Sequence, residues 1–378
     1  MLFAACGGKP AADPTATAPA DATATATATP TPTPTATATA TATPTPTATT
    51  PATPTALPPP KPTTLPLAKA GGDKVDELLV AGDQAFEKDD LTEALKQYKA
   101  AAALGPKRPG PIVGAARVRI AKVGAPMDYA AAKGNAEIAA AARDLKRAAQ
   151  LDATYGPAQA ELGRALLLLG DAPGALDALR KGVQLLPQEA EAHSALGVAL
   201  LATGKKYEAL SELAKAADLD PGRPERHGNL GTVLFMLGRV AEAVKEYETR
   251  VRLSDGDAGA HSDLGTALLA QNELVRASRE LERAVQIDPQ RATFRSNLGY
   301  ALQIQGKNND AIAQYREAIK LDPKLASAWI NLATALSRDP KTRKEAREAL
   351  LRAQTLDPTD PRVKANLEEL DALEKGTK

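Results

Sequence analysis

The chain has a single cysteine, three histidines, one tryptophan and four phenylalanines in 378 residues. Each scarcity excludes something. One thiol cannot form an intrachain disulfide, and without a Cys/His cluster there is no signature of a structural metal site. Aromatics make up only 3% of the residues, so the core must be packed from small aliphatic side chains rather than large rings. No run of about 18 apolar residues occurs, so no segment has the length and hydropathy of a membrane-spanning helix. An excess of one charge is also missing. The 47 Lys and Arg against 46 Asp and Glu leave a net charge of +1, which argues against a nucleic-acid or anionic-membrane partner, since both demand a basic stripe. The motifs G-x-S-x-G, H-E-x-x-H and C-x-x-C do not occur. "GVALLATGKK" and "GYALQIQGKN" have the wrong spacing for a phosphate loop and no hydroxyl residue after the lysine. The carboxylates are interleaved with Lys and Arg and read as solvated helix faces. No catalytic constellation, metal site or cofactor is expected.

What the chain does contain is unevenly distributed. Residues 11–72 are mostly Thr, Ala and Pro, as in "DATATATATPTPTPTATATATATPTPTATTPATP". Such a stretch cannot bury a core, and its prolines favour extended backbone. It is predicted to be a disordered tether, whose Thr/Ala/Pro-rich part of about 55 residues reaches ~170 Å if fully extended and ~40 Å as a flexible coil.

Beyond Gly72 the sequence repeats. Leu-Gly recurs as Leu162-Gly163, Leu196-Gly197, Leu230-Gly231, Leu264-Gly265 and Leu298-Gly299, with Leu332-Ala333 continuing the series. Each step is 34 residues. Leu166, Leu200, Leu234, Leu268, Leu302 and Leu336 hold the next turn of the same helical face. Ala175, Ala209, Ala243, Ala277 and Ala311 keep the same clock, and Pro187, Pro221, Pro289 and Pro323 close the units. Ala346 and Pro358 fall one residue late, after an insertion near "RDPKT". Between the two helices of a unit stands Gly170, Gly204, Gly238 or Gly306, with Asn272 in the same register. Glycine and asparagine are the residues that best tolerate a left-handed C-terminal cap. Each unit therefore reads as a helical hairpin that must stack on its neighbours to bury its apolar face.

"AHSALGVALLATGKKYEALSELAKAADLDP" and "ATFRSNLGYALQIQGKNNDAIAQYREAIKLDP" resemble tetratricopeptide (TPR) repeats in period and in their Leu-Gly…Ala…Pro skeleton. The resemblance covers roughly residues 75–360. It implies an all-α solenoid of about eight repeats, near 75–108, 109–155 (with an enlarged turn), 156–189, 190–223, 224–257, 258–291, 292–325 and 326–360. The solenoid is assigned to 73–358 and a polar capping helix to 359–378.

The histidines, His193, His227 and His261, lie on the same clock, in the slot that Trp329 occupies in its own repeat. Equivalent positions on successive helices lie ~10 Å apart, too far for three rings to converge on one ion. A packing role is expected, and no metal. The family resemblance also places a binding groove on the first helix of each repeat. Here it would include Ser194, Val198, Leu201, Gly228, Thr232, Phe235, Met236, Ser262, Thr266, Leu269, Ser296, Tyr300, Gln303, Ile304, Ile330 and Thr334. The set is largely uncharged. It lacks the basic-plus-Asn clamp with which some relatives hold a C-terminal carboxylate, so an extended peptide or a partner helix is the expected ligand.

The opening "MLFAACGGKP" resembles the cleavage-and-lipidation box of bacterial lipoproteins, with Ala4 and Ala5 ahead of Cys6. Residues 1–10 would then be the remnant of a signal whose basic and hydrophobic parts lie upstream of Met1; otherwise the cysteine is incidental. The sequence is thus expected to encode a non-catalytic protein-interaction scaffold, lipidated at Cys6 and facing the periplasm of a bacterial envelope. The alternatives are an assembly factor for an envelope machine, resembling type IV pilus pilotins, and a cytoplasmic TPR adaptor.

Overall fold

A computed structural model describes residues 65–68, 72–125 and 129–376. Cys6 and most of the Thr/Ala/Pro-rich stretch lie outside the described residues. Among those described there are α-helices, one 3₁₀ turn (Pro340–Thr342) and no strand. Helices α1 (Lys74–Glu87) and α2 (Leu91–Leu104) form a first pair, and α3 (Pro109–Val123) with α4 (Ala136–Leu151) a second. The third and fourth are α5 (Gly156–Leu169) with α6 (Ala172–Leu185), and α7 (Ala190–Ala202) with α8 (Lys206–Leu219). Then come α9 (Pro224–Met236) with α10 (Val240–Leu253), and α11 (Ala258–Ala270) with α12 (Leu274–Ile287). The last two pairs are α13 (Ala292–Ile304) with α14 (Asn308–Leu321), and α15 (Ala326–Leu336) with α16 (Arg343–Leu356). Helix α17 (Pro361–Lys375) packs on the last pair, burying Val363 and Leu370. The all-α solenoid expected from the 34-residue period is the fold observed.

Local chemistry explains the breaks. Asp73, Asp90, Asn135, Asp171, Asp257 and Asp360 each accept a hydrogen bond from a first-turn N–H, satisfying a donor that the helix leaves open. The turn within a pair is made at Gly170, Gly204, Gly238 and Gly306, with φ between +75° and +81°, and at Asn272 with φ +63°. In the second pair the longer connection folds back. The Ala130 and Ala132 N–H groups donate to the Leu167 and Leu168 carbonyls, and the Tyr129 hydroxyl donates to that of Gly170. The open end of α5 is thus closed by the inserted residues.

Packing within a pair rests on the Leu-Gly glycines. A methyl group on Gly299 would come within 2.7 Å of the Tyr315 ring, and one on Gly231 the same distance from Tyr247. On the opposing helix Ala209, Ala243, Ala277 and Ala311 are wholly buried. Successive pairs stack so that α1 touches α3, α3 touches α5, α5 touches α7 and α13 touches α15. The second helices of neighbouring pairs make no comparable contact. First helices therefore line the tighter, inner side of the stack.

One boundary read from composition is corrected. Residues 65–68 were assigned to the tether, yet Leu65 and Leu67 are buried against the first helices. Alternate leucines supply the apolar contacts that the Thr/Pro-rich context concealed.

Gly299→Ala is expected to lower stability by about 1–2 kcal/mol, because overlap with the fixed Tyr315 ring outweighs the alanine's helix propensity. Gly256 has open space around it, and Gly256→Ala is expected to stay within about 0.5 kcal/mol of the parent. Denaturant titration of both variants checks the pair.

Candidate interaction groove

The sixteen residues expected to line the groove separate into three environments. At the fifth repeat position Ser194, Gly228, Ser262, Ser296 and Ile330 are all buried. Ser194 and Ser262 accept hydrogen bonds from the Asn229 and Asn297 amides of the following first helix, each at 3.3 Å. Gly228 leaves room for the Arg250 side chain, and Ile330 clusters with Ala353 and Val363. Ser194 and Ser262 thus serve the seams between successive first helices, whereas Gly228 and Ile330 pack against their own second helices. Gln303 is buried too, accepting from the Tyr315 hydroxyl at 2.7 Å.

A second group is half-buried: Val198, Leu201, Thr232, Phe235, Met236, Thr266, Leu269 and Thr334. The Thr232, Thr266 and Thr334 hydroxyls donate to the carbonyl one turn back. Finally, Tyr300 and Ile304 are exposed, at 42% and 43%. They stand one turn apart on α13 and form a single apolar patch.

The first three pairs carry a part of this face that the central repeats did not reveal. Counting back one repeat from Val198 gives Arg164; the corresponding residues of α3 and α1 are Arg117 and Asp83. These charges join a buried chain that crosses successive first helices. Arg117 lies 3.4 Å from Asp83 and 2.7 Å from Glu161 on α5. Arg164 lies 3.4 Å from both Glu161 and Glu191 on α7, and Arg226 on α9 reaches Glu191 at 2.7 Å. Signs alternate along the line, so each buried charge faces opposite ones. Burial alone would raise the Glu161 carboxyl, but Arg164 and Arg117 outweigh it and hold it below the usual range. Glu191 is lowered in the same way, with Arg164 and Arg226 overcoming burial. For Asp83 burial prevails over Arg117 and pushes the carboxyl up. The first-helix face of the N-terminal repeats is thus charged, in contrast to the largely uncharged set in the central repeats. The signal was present in sequence as in-phase Asp83, Arg117 and Arg164, but the enlarged turn breaks the count between the last two.

On these helices lies an extended piece of the chain itself. The Leu67 N–H donates to Asp83 Oδ2 at 2.9 Å. The Leu65 carbonyl accepts from Arg117 Nη2 at 2.7 Å, and the Leu67 carbonyl from the Tyr155 hydroxyl at 2.6 Å. Leu67 joins the core beneath α1 and α3, while Leu65 clusters with Ala160 of α5 and Ala192 of α7. Pro66 between them is exposed.

The histidines occupy packing positions with a shared hydrogen-bond pattern. His193, His227 and His261 place Nε2 2.9–3.1 Å from the carbonyl six residues back (Pro187, Pro221 and Asp255). Trp329 Nε1 donates to Pro323 in the same way, and Arg295 Nε to Pro289. The slot thus selects an N–H donor. Each histidine Nδ1 meets a glutamate of its second helix at 2.6–2.7 Å: Glu212, Glu246 and Glu280. Each ring is thereby held between a backbone carbonyl and a carboxylate of its own second helix. Among the described residues no group of three or more His, Cys, Asp or Glu is placed to hold a metal ion.

Comparison with known proteins agrees with this geometry. Three repeat-family models match: a TPR repeat over residues 304–339, and tetratricopeptide repeats over 229–292 and 156–181. A bacterial transcriptional activator domain model also matches, over residues 184–259. No curated protein matches the chain in sequence. Among solved structures, the APC/C hetero-tetramer Cut9–Hcn1 superposes with a TM-score of 0.57 at 16% identity, covering 79% of this chain. The match covers 56% of that protein's chain, so this one spans little more than half its length. YrrB, a TPR protein with an unusual peptide-binding site, is 22% identical over 51% of this chain and 99% of its own, at TM-score 0.41. MamA from Desulfovibrio magneticus RS-1 is 21% identical over 44% of this chain and 95% of its own, at TM-score 0.42. The likeness to all three is one of fold, and the last two scores are too low to add to it. The helical-hairpin stack, its 34-residue clock and the matching repeat models define a tetratricopeptide-repeat protein.

For His227, burial would lower the ring's pKa, but the hydrogen bonds to Glu246 and the Pro221 carbonyl outweigh it and raise the pKa above 6.5. The stabilisation is therefore complete below pH ~6.5 and is lost as pH rises through the folded-state value. His227→Arg, which copies Arg295, is expected to remove this part of the pH dependence. Denaturation midpoints from pH 5.5 to 8.5, compared between parent and variant, measure it.

Proposed function

We propose that this chain is a non-catalytic scaffold that binds a segment of a partner protein along the face formed by its first helices. One observation carries the reading: side chains of that face already hydrogen-bond the backbone of an extended segment, residues 65–68. In the central repeats the partner would lie across the half-buried Leu201, Phe235, Met236 and Leu269 and the exposed pair Tyr300 and Ile304. The hydroxyls of Thr232 and Thr266 are occupied internally, so apolar contact would dominate there and polar recognition would be confined to the first repeats. The Cut9–Hcn1 structure, whose fold this chain shares, is itself a hetero-tetramer.

In the same reading Cys6 carries a lipid and ties the scaffold to a bacterial envelope membrane on its periplasmic side. Support for this is the "FAAC-GG" sequence followed by a long Thr/Ala/Pro-rich stretch. Among the described residues no helix is long and apolar enough to cross a membrane.

Tyr300→Asp combined with Ile304→Asp is expected to abolish capture of the partner in membrane crosslinking and to leave the melting temperature unchanged, since both side chains are exposed. Undiminished capture would remove the central groove from the account. Cys6→Ser is expected to move the protein from the membrane to the soluble fraction.

A further inference from the structure

We propose that the first helices of the first four repeats form a recognition site for extended Leu-x-Leu segments, and that Leu65–Leu67 is its resident, exchangeable occupant. This rests on the reading of the first-helix face as a peptide-binding surface, but on residues that the central stripe does not share.

The site reads both backbone and side chains. Asp83 accepts the N–H of the second leucine, Arg117 donates to the carbonyl of the first, and Tyr155 donates to the carbonyl of the second. Asp83 and Arg117 occupy the same position in successive repeats, so the peptide groups of an extended chain meet one polar side chain per first helix. Each reader is itself fixed. Arg117 is also paired with Glu161, and Asp83 also accepts from the Tyr98 hydroxyl at 2.7 Å. The donors and acceptors are therefore in place before a peptide arrives. Gly110 provides the clearance, because a methyl group there would stand 3.2 Å from both the Leu67 carbonyl oxygen and the Tyr155 hydroxyl.

Residues two apart in an extended chain share a face. Leu65 and Leu67 accordingly both turn inward, 1% and 0% exposed, while Pro66 faces out. The chemistry required of a ligand follows directly. It needs a leucine-sized apolar side chain at both inward positions and a free N–H on the second. The middle residue is unconstrained except that its neighbours be extended, a conformation that proline enforces on the residue before it.

The resident segment is held by two buried leucines and three hydrogen bonds, while its middle residue is in solvent. Its advantage is connectivity: only residues 69–73 separate it from α1. A short connection gives an effective concentration in the millimolar range. A partner bearing the same Leu-x-Leu chemistry competes against that local excess, and its binding unfastens residue 65 from the helices.

The probe is a labelled peptide of residues 61–70, KPTTLPLAKA, titrated into the full chain and into the full chain carrying Leu65→Ser and Leu67→Ser. The double variant is expected to bind the peptide at least tenfold more tightly than the parent. Adding Asp83→Asn, or replacing both leucines of the peptide by serine, is expected to abolish that binding. Equal affinity for the two chains, or no binding by a folded double variant, overturns the proposal. Amide exchange on the unmodified chain tests exchangeability without relying on the variant's fold. The Leu67 N–H is expected to exchange at least 100-fold faster than the core amides of Leu196 and Leu264, and exchange at the core rate overturns the proposal. Tyr300→Asp with Ile304→Asp should leave peptide binding intact, so failure of the central groove and failure of this site give different results.

Discussion

A two-helix hairpin of this composition leaves one apolar face uncovered, and the rest of the structure follows from covering it. The five pairs that carry Leu-Gly place that turn against the buried alanine and ring or leucine of their own second helix, and each pair offers its remaining face to the next. The stack needs closure at both ends. At the C-terminal end α17 supplies it with Val363 and Leu370. Near the N-terminal end, Leu67 contributes to the core beneath α1 and α3 and lies on the inner side. What helps to complete the fold there is thus also what shows how the inner face holds an extended chain.

Inner and outer sides differ in their electrostatics as well as in their spacing. On the outer side, second helices are linked by exposed pairs such as Arg180–Glu208, Arg276–Glu248 and Arg316–Glu345. Pairs of this kind contribute about 0–1 kcal/mol each and are screened by salt. On the inner side, the line from Asp83 through Arg117, Glu161, Arg164 and Glu191 to Arg226 is largely buried. Removing one member of such a line costs about 3–5 kcal/mol, because it strands a buried charge. The line also fixes the relative positions of five first helices, α1 to α9. A face whose polar groups are already oriented can hydrogen-bond a peptide backbone with little reorganisation.

The repeat architecture was legible in the sequence because a 34-residue clock of leucine, glycine and alanine states its own geometry. Asn272 could be read as a turn residue because few non-glycine residues accept a left-handed backbone, and its φ of +63° follows that reading. The histidine slot was recognisable as packing because Trp329 shares it. What the sequence could not convey was which groove positions a neighbouring helix would cover. Ser194 and Ser262 carry the pattern of surface residues, but the distance between stacked first helices decides their burial. The enlarged turn of the second repeat displaced the count and concealed Arg117. Residues 65–68 were obscured by composition, since two leucines flanking a proline look like linker beside so many threonines and prolines.

The central claim is that partners are held on the inner, first-helix face. Photocrosslinkers placed one at a time at Tyr300, on first helix α13, and at Tyr207, 79% exposed on second helix α8, test it most directly. The account predicts that position 300 yields a crosslink to one defined partner segment while position 207 yields none. A crosslink to that segment from 207 and none from 300 would contradict it.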